Sequence, residues 1–388
     1  MISFTVTIFQ VIAILGCLSS SIYYLICLWS VRAFLRERRL AGVAAHPPQA
    51  FPPVSILKPL KGTDPDIYES FRSHCLQDYP AYEIIFGVSD PDDAAVASVQ
   101  QLQREFPERA IRLVVSPNNL GANVKVSNLE QMLPAARFEH LLVNDSDIRV
   151  DRDYLRRVIA PLADERVGMV TCLYRGVAAP TLGSQLESLG ISTDFCAGVL
   201  VARQLEGGLR FGLGSTLVFR RTDLDRIGGF HSIVDYLADD YELGQRIAGL
   251  GLRVVLSVVV ETHLPAYDLR EFMAHQLRWA RGVRDSRAGG YMGLVSTYGL
   301  MWALLALVAA HAAPWSWALL GATVFLRTAV ALAVGRAVLQ DAQLPKHLWL
   351  LPVRDLVAVA VWVASFAGHT VTWRGDRFEL KDGRLIRL

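Results

Sequence analysis

The chain has 388 residues, 52% of them hydrophobic and 20% charged, with a mean hydropathy of +0.30. A soluble domain carries about a quarter charged residues, so the apolar surplus needs a setting other than water. The 39 Lys and Arg against 37 Asp and Glu leave a net charge of +2, which excludes nucleic-acid binding by bulk positive charge; composition also excludes disorder and a collagen-like fibre.

Five scattered cysteines (Cys17, Cys27, Cys75, Cys172, Cys196) contain no C-x-x-C pair. That argues against a disulfide framework and a structural zinc site, and it fits a reducing compartment. A membrane protein with one substantial aqueous domain is the class these features imply.

In chain order, residues 2–29 form an apolar run without a charge. At ~20 residues per crossing it is long enough to span a bilayer. No basic region precedes it, and it exceeds the ~7–15 residues of a cleavable signal core. Arg32, Arg36, Arg38 and Arg39 follow at once. By the positive-inside rule the N-terminus lies outside and residue 32 onward in the cytoplasm.

A basic, Pro-rich linker over 32–53 (Pro47-Pro48, Pro52-Pro53) is expected to be stiff and extended. Beyond it, short apolar runs at 54–57, 82–88, 111–115, 140–143 and 168–172 read as strands. Helical patterns at 67–77, 93–106 and 124–133 lie between them. This alternation predicts an α/β domain over 54–268 with a mostly parallel sheet covered on both faces. Ligands of such sheets collect at the carboxyl ends of the strands.

Acidic clusters stand at such ends. Ser89-Asp90-Pro-Asp-Asp93 follows the second run, and Asn144-Asp145-Ser-Asp147 follows the fourth. In an extended segment, residues i and i+2 point to one side. Asp145 and Asp147 would then offer a hard oxygen pair to Mg²⁺ or Mn²⁺, ions that complete their shells with substrate phosphates. A solvated acidic turn is the plainer alternative. A third acidic cluster, Ala238-Asp239-Asp240-Tyr-Glu242, opens a further helical pattern, where either aspartate could instead serve only as an N-cap.

Over 269–287, His275, Arg278, Trp279 and Gly282 share one helical face. Five arginines (Arg270, Arg278, Arg281, Arg284, Arg287) among apolar residues suit an interfacial helix on an anionic membrane, assigned to 269–290. A basic juxtamembrane helix would explain the arginines alone.

The apolar block 291–373 divides into candidate spans 294–312, 315–335 and 348–372, with Trp302, Trp315, Trp317, Trp349 and Trp373 mostly near their ends. Arg327, costly in lipid, is expected to face another helix, whereas Arg354 and Asp355 lie near a cytoplasmic end and could snorkel. Four crossings put the 374–388 tail outside. Its basic residues (Arg374, Arg377, Lys381, Arg384, Arg387) point inside. Hydropathy, summed over the longer run, favours four spans.

Taken in order, Asp90, Asp145-Ser-Asp147, Asp239-Asp240 and Arg278-Trp279 resemble the D, D, D, (Q/R)-x-x-R-W signature of membrane family 2-like glycosyltransferases. The chain looks most like ceramide glucosyltransferases of family 21, particularly the bacterial branch associated with hopanoid biosynthesis. Lys58-Pro-Leu-Lys-Gly62, Lys125-Val-Ser-Asn128-Leu129, Asp145-Ser-Asp-Ile-Arg149 and Trp373-Arg-Gly-Asp-Arg-Phe378 add to the likeness, which covers nearly the whole chain. One departure is His275, which stands where the motif has Gln or Arg, with Gln276 one place later.

The resemblance implies a GT-A nucleotide-sugar domain, cytoplasmic, inserted between an N-terminal transmembrane helix (1–31) and a C-terminal helical membrane block, in a bacterial inner membrane. It implies that Asp90 binds the uridine of a UDP-sugar, and that Lys58, Lys125, Asn128 and Asp145 belong to the donor site. Asp145 and Asp147 would hold Mg²⁺ or Mn²⁺. Asp240 would be the general base with Asp239 beside it. Arg278 would neutralise the leaving diphosphate, Trp279 would line the acceptor mouth, and His275 and Gln276 would complete the motif.

The expected reaction is inverting transfer of glucose or N-acetylglucosamine from a UDP-hexose to ceramide or a hopanoid polyol, giving a β-linked glycolipid, with no nucleic-acid partner. Alternatives are a processive polysaccharide synthase, a membrane-tethered nucleotide-binding scaffold, and a channel or transporter. The last is disfavoured because carriers hold their sites at the bilayer midplane.

Overall fold

The computed structural model describes residues 2–44, 51–373 and 375–388, so Pro47-Pro48 and Arg374 lie outside the described residues. Two compact units emerge: one of residues 1–45, 180–205 and 266–371, the other of residues 46–179, 206–265 and 372–388.

The second unit is built on an eight-stranded sheet in the order β3-β2-β1-β4-β7-β6-β8-β5. Its strands are β1 Val54–Pro59, β2 Tyr82–Val88, β3 Ala110–Val115, β4 His140–Val143, β5 Ile148–Arg149, β6 Val167–Val177, β7 Leu217–Arg220 and β8 Arg253–His263. All five expected strands form, and the helices Ile67–Cys75, Ala95–Glu105 and Val124–Met132 lie where the periodicity put them. Both β1 and β2 are buried at every residue, as strands covered on two faces must be. Glu83, the one charge within β2, accepts from Ser55 Oγ at 2.6 Å and from the Arg137 backbone and Nε at 2.7 and 2.9 Å.

The sheet is not as parallel as the alternation implies. Strands β3, β2, β1 and β4 are parallel, but β7 runs antiparallel to β4 and β6, and β5 antiparallel to β8. Parallel β1, β2 and β4 nonetheless bring their carboxyl ends to one edge.

The C-terminus folds as well. A three-stranded sheet comprises β9 Thr370–Trp373, β10 Asp376–Lys381 and β11 Arg384–Arg387. Between β10 and β11, Asp382 (φ 52°) and Gly383 (φ 77°) turn the chain, the Asp-Gly pair favoured in tight hairpins because both positions need positive φ.

The first unit is helical. Its opening helix, Ile2–Ala44, runs 43 residues; at 1.5 Å per residue it is about 64 Å long, well beyond a ~30 Å hydrocarbon core. Arg32, Arg36, Arg38 and Arg39 therefore continue this helix and do not begin an extended linker. Three helices are long and apolar enough to cross a membrane (Thr7–Leu40, Pro314–Val338 and Leu344–Ser365), or up to four if the pair Ala288–Thr297 and Gly299–Ala309, bent by 49°, counts as one. The last helix ends at Ser365, short of the expected 372, because residues 370–373 become β9.

Gln10 Nε2 donates to Ala309 O at 2.8 Å and Tyr24 Oη to Thr297 O at 3.2 Å, so Gly299–Ala309 runs antiparallel to the first helix. Thr323 of the next helix approaches Gly299 beside Ser20 and Tyr24. Arg327 does face other helices: its guanidinium bonds Asp355 at 2.8–3.1 Å, Asp194 at 2.6 Å and Thr193. Asp355 is thus committed to Arg327 and does not snorkel, and Arg354 is buried.

Candidate active site

In the second unit four of the expected residues meet. The Lys125 ammonium lies 2.8 Å from Asp145 Oδ1 and 2.9 Å from Asp239 Oδ2. Lys125 sits on the Val124–Met132 helix, whose N-cap Asn123 accepts from Val126 N at 3.1 Å. Asp239 and Asp240 begin the Asp239–Gly249 helix, and Ala238, not an aspartate, is its N-cap. Asp240 Oδ2 accepts the Gly214 N–H at 2.7 Å, and Oδ1 the Tyr241 N–H at 2.8 Å.

Gly214 explains how the two acidic segments come so close. A Cβ there would lie 2.7 Å from Asp145 Oδ2 and 3.4 Å from Asp240 Oδ2, so only glycine leaves room for both carboxylates. Lys58, fully buried in β1, donates to Asp145 O at 3.1 Å.

Electrostatics follow from this crowding. Burial, then Asp239, pushes Asp240 up to about 6, while Lys125 opposes the shift. Burial alone would lower Lys125, but Asp145, Asp239 and Asp240 outweigh it and hold the ammonium charged. Burial brings Lys58 down to about 7, although Asp147 and Asp145 pull the other way.

Asp145 and Asp147 stand on a turn, not on an extended strand. Asp147 Oδ2 accepts from Thr262 Oγ1 at 2.5 Å, while Asp145 faces Lys125. Among the described residues no three His, Cys, Asp or Glu side chains converge as a metal cage. Two carboxylates with the remaining positions left to phosphate and water still suit a hard divalent ion. Asp147 is pushed up to about 6 by burial first, and then by Asp145 and Asp64. The donor set therefore fits such an ion.

Asp90, exposed beyond β2, accepts the Asp92 N–H at 2.9 Å. Asn128 Nδ2 donates to Gly87 O at 2.6 Å, which secures the end of β2. Both line the strand-end edge beside the Lys125 cluster, with Asp92 and Gly87 as their hydrogen-bond partners.

Sequence reasoning missed Gly214 and Asp235. The Asp235 carboxylate accepts Ala122 N–H at 2.9 Å, and Asn123 bonds Val234 O and Tyr236 O at 2.8 and 2.7 Å. The lysine-bearing and aspartate-bearing segments are thereby stitched together. Only the small-residue run Gly212-Leu-Gly-Ser215 before β7 hinted at a close approach.

In the first unit, the helix Leu269–Ser286 opens with a capping box between Asp268 and Glu271. His275 and Trp279 share a face, their rings 5.6 Å apart, and His275 stacks on Tyr267 at 5.4 Å. Trp279 also meets Phe195 edge-on at 5.9 Å. Buried Glu187 lies 3.4 Å from His275 Nδ1 and accepts from Gln276 Nε2 at 2.7 Å, while Gln276 Oε1 accepts from Arg354 at 3.0 Å. Both ends of the Gln276 amide are thus engaged. Arg278 is half-buried. Arg281 and buried Arg284 donate to carbonyls of Thr370, Ser365 and Gly368 at and just after the end of the Leu351–Ser365 helix, where cations offset the helix dipole.

The fold has a solved counterpart in a mannosyltransferase of Pyrobaculum calidifontis, determined with GDP-mannose and Mn²⁺. It is 22% identical, with a TM-score of 0.55, over 92% of this chain and 99% of that one; the likeness identifies the GT-A fold. Ceramide glucosyltransferase 1 of Caenorhabditis elegans is 25% identical over 64% of this chain and 53% of its own length. A beta-monoglucosyldiacylglycerol synthase of Synechocystis is 25% identical over 54% and 42%. The chain spans about half the length of these curated relatives. A family model described as glycosyl transferase family 21 matches residues 12–386, nearly the whole chain, and the protein belongs to that family.

Proposed function

We propose that the chain transfers a hexosyl unit, glucose or N-acetylglucosamine, from a UDP-sugar to a hydroxyl of a membrane lipid, ceramide or a hopanoid polyol, with inversion. The observation that carries this reading is the packing of Asp145, Lys125, Asp239 and Asp240 around Gly214. Relatives that glucosylate ceramide or form a glucosyldiacylglycerol support the lipid acceptor.

In this reading Asp90 holds the nucleoside, while Lys58 and Asn128 keep the donor-facing strand ends in place. Asp145 and Asp147 hold Mg²⁺ or Mn²⁺, which when bound stabilises charge growing on the diphosphate. Asp240 takes the proton of the acceptor hydroxyl. That oxygen bonds the anomeric carbon opposite the nucleotide, and the carbon–oxygen bond to the diphosphate breaks with its electron pair going to phosphate. A carboxylate poised near 6 is matched to this task, being ionised at neutral pH yet basic enough to accept a proton. Arg278 neutralises the leaving group, His275 and Gln276 brace the motif helix, and Trp279 presents an apolar wall to the lipid. The enzyme is a multi-pass protein of a bacterial inner membrane, with residues 54–268 cytoplasmic and the N-terminus outside.

Mass spectrometry of lipids from cells expressing the full chain tests the reading. A new monohexosyl lipid should appear with the native protein and vanish with Asp240→Ala. Identical lipid profiles for native protein, variant and empty vector would refute it.

A further inference from the structure

The residues after 375 belong to no membrane block. Leu385 N–H donates to Asp235 O at 2.7 Å, Leu237 N–H donates to Gly383 O at 3.1 Å, and Tyr236 and Arg384 pair as a bridge between these bonds. The Arg384 guanidinium lies 5.2 Å over the Tyr236 ring. The β10–β11 hairpin thus adds the backbone of 235–237 as one more antiparallel edge. Its inward residues Phe378, Leu380 and Leu385 are buried.

The edge so captured ends two residues before Asp239 and is the same one whose Asp235 and Tyr236 hold Ala122 and Asn123, at the start of the Lys125 helix. We infer that the C-terminal hairpin is a strap that positions the Asp239–Asp240 and Lys125 segments, and that it holds the tail on the catalytic unit's side of the membrane. The positioning half rests on the transferase reading above; the topological half does not.

Parity follows from the bonds. Residues 46–179, 206–265 and 372–388 form one folded unit, so the chain between 265 and 372 must cross the membrane an even number of times. Three C-terminal crossings with an external tail are ruled out. The helices supply a way: Gly299–Ala309 runs antiparallel to the first helix from the level of Tyr24 to that of Gln10. Residues 310–313 turn, with positive φ at His311 and Ala312, and Thr323 is back beside Gly299. The helix Leu351–Ser365 instead lies along Leu269–Ser286, joined from Gln276–Arg354 to Arg284–Ser365. The crossings are then the first helix, the bent 288–309 pair outward and Pro314–Val338 inward.

Single cysteines at Ala312, Gln343 and Leu388, in the full chain with its own cysteines changed to serine, are probed with a membrane-impermeant maleimide on intact cells. Labelling at 312 alone is expected; labelling at 388 overturns the strap, and labelling at 343 overturns the helix assignment. For positioning, Leu385→Pro deletes the N–H while Leu385→Ala keeps it.

With the purified full chain, Leu385→Pro should lower kcat by up to about 10²-fold, the cost of misplaced catalytic groups, with UDP-glucose affinity unchanged. It should also accelerate hydrogen exchange at Leu237 and Asn123, whether or not the acceptor has been found. Leu385→Ala should do neither. Native exchange rates with Leu385→Pro would overturn the strap; altered exchange with native kcat would overturn only its positioning role.

Discussion

Two ion clusters in this chain obey different rules. In the helical unit Arg327 is 6% exposed at its side chain and Asp355 14%, and the guanidinium is saturated by Asp355, Asp194 and Thr193. In the sheet unit Lys125 is 17% exposed but Asp145 is 42%. The first cluster closes its cation and Asp355 off from water and leaves only Asp194, 36% exposed, at its margin, so loss of the cation would strand a buried carboxylate. The second keeps one carboxylate wet, so its partner can change when a ligand arrives. Charge that is sealed holds helices together; charge that stays half-open can do chemistry.

Breaking the open cluster should cost activity and leave the fold intact. Asp240→Asn keeps the shape but cannot take a proton, so transfer should fall by about 10²–10⁴-fold, the span typical of general base removal. UDP-sugar affinity by calorimetry should be retained; loss of donor binding would make Asp240 a ligand instead. Asp145→Ala should reduce turnover by about 10²–10³-fold, as loss of a transition-state electrostatic partner does, and excess EDTA should mimic it. Full turnover in EDTA would remove the metal from the mechanism.

Breaking the closed cluster should do the reverse. Arg327→Met leaves Asp355 and Asp194 without their partner and should destabilise the chain by about 3–5 kcal/mol, read as a lower unfolding temperature in detergent. A double change, Arg327→Met with Asp355→Leu, should recover much of that loss. If the single variant melts like the native chain, the cluster is not a staple.

Smaller effects sharpen the contrast. Trp279→Ala, at a side chain 36% exposed, should raise the acceptor KM about tenfold, near the value of one exposed apolar contact of ~1–2 kcal/mol, and leave donor affinity alone. The pH profile is the mildest probe. Asp240 is held at about 6 by burial and Asp239 and acts in its ionised form, so kcat/KM should be flat above that value and halve near it as pH falls. A profile flat to pH 4 would exclude it as the base.

Much of the fold was legible because its signals are local. The runs at 82–88 and 140–143 are mostly apolar, broken only by Glu83 and His140, and both became strands with acids at their carboxyl ends. Arg327 inside an apolar stretch correctly implied a helix partner. Other signals are local but incomplete: Lys381-Asp-Gly-Arg384 spells a hairpin turn, yet a turn signal alone does not say which edge the hairpin pairs with. His275 and Trp279 were rightly assigned to one helical face, whereas Gln276, also carried from the motif, is tied between Glu187 and Arg354.

What the sequence by itself determined is what short windows can sum: apolar stretches long enough to span, strand and helix periods, and acidic groups placed just after strands. Tertiary structure alone decided which distant groups meet. The antiparallel insertion of β7 brings Gly214 between Asp145 and Asp240, and no window holding one of these segments contains the others. The docking of the tail on residues 235–237 was decided the same way. Hydropathy counts each helix separately, whereas the backbone bonds between Asp235–Leu237 and Gly383–Leu385 join segments that no single window contains.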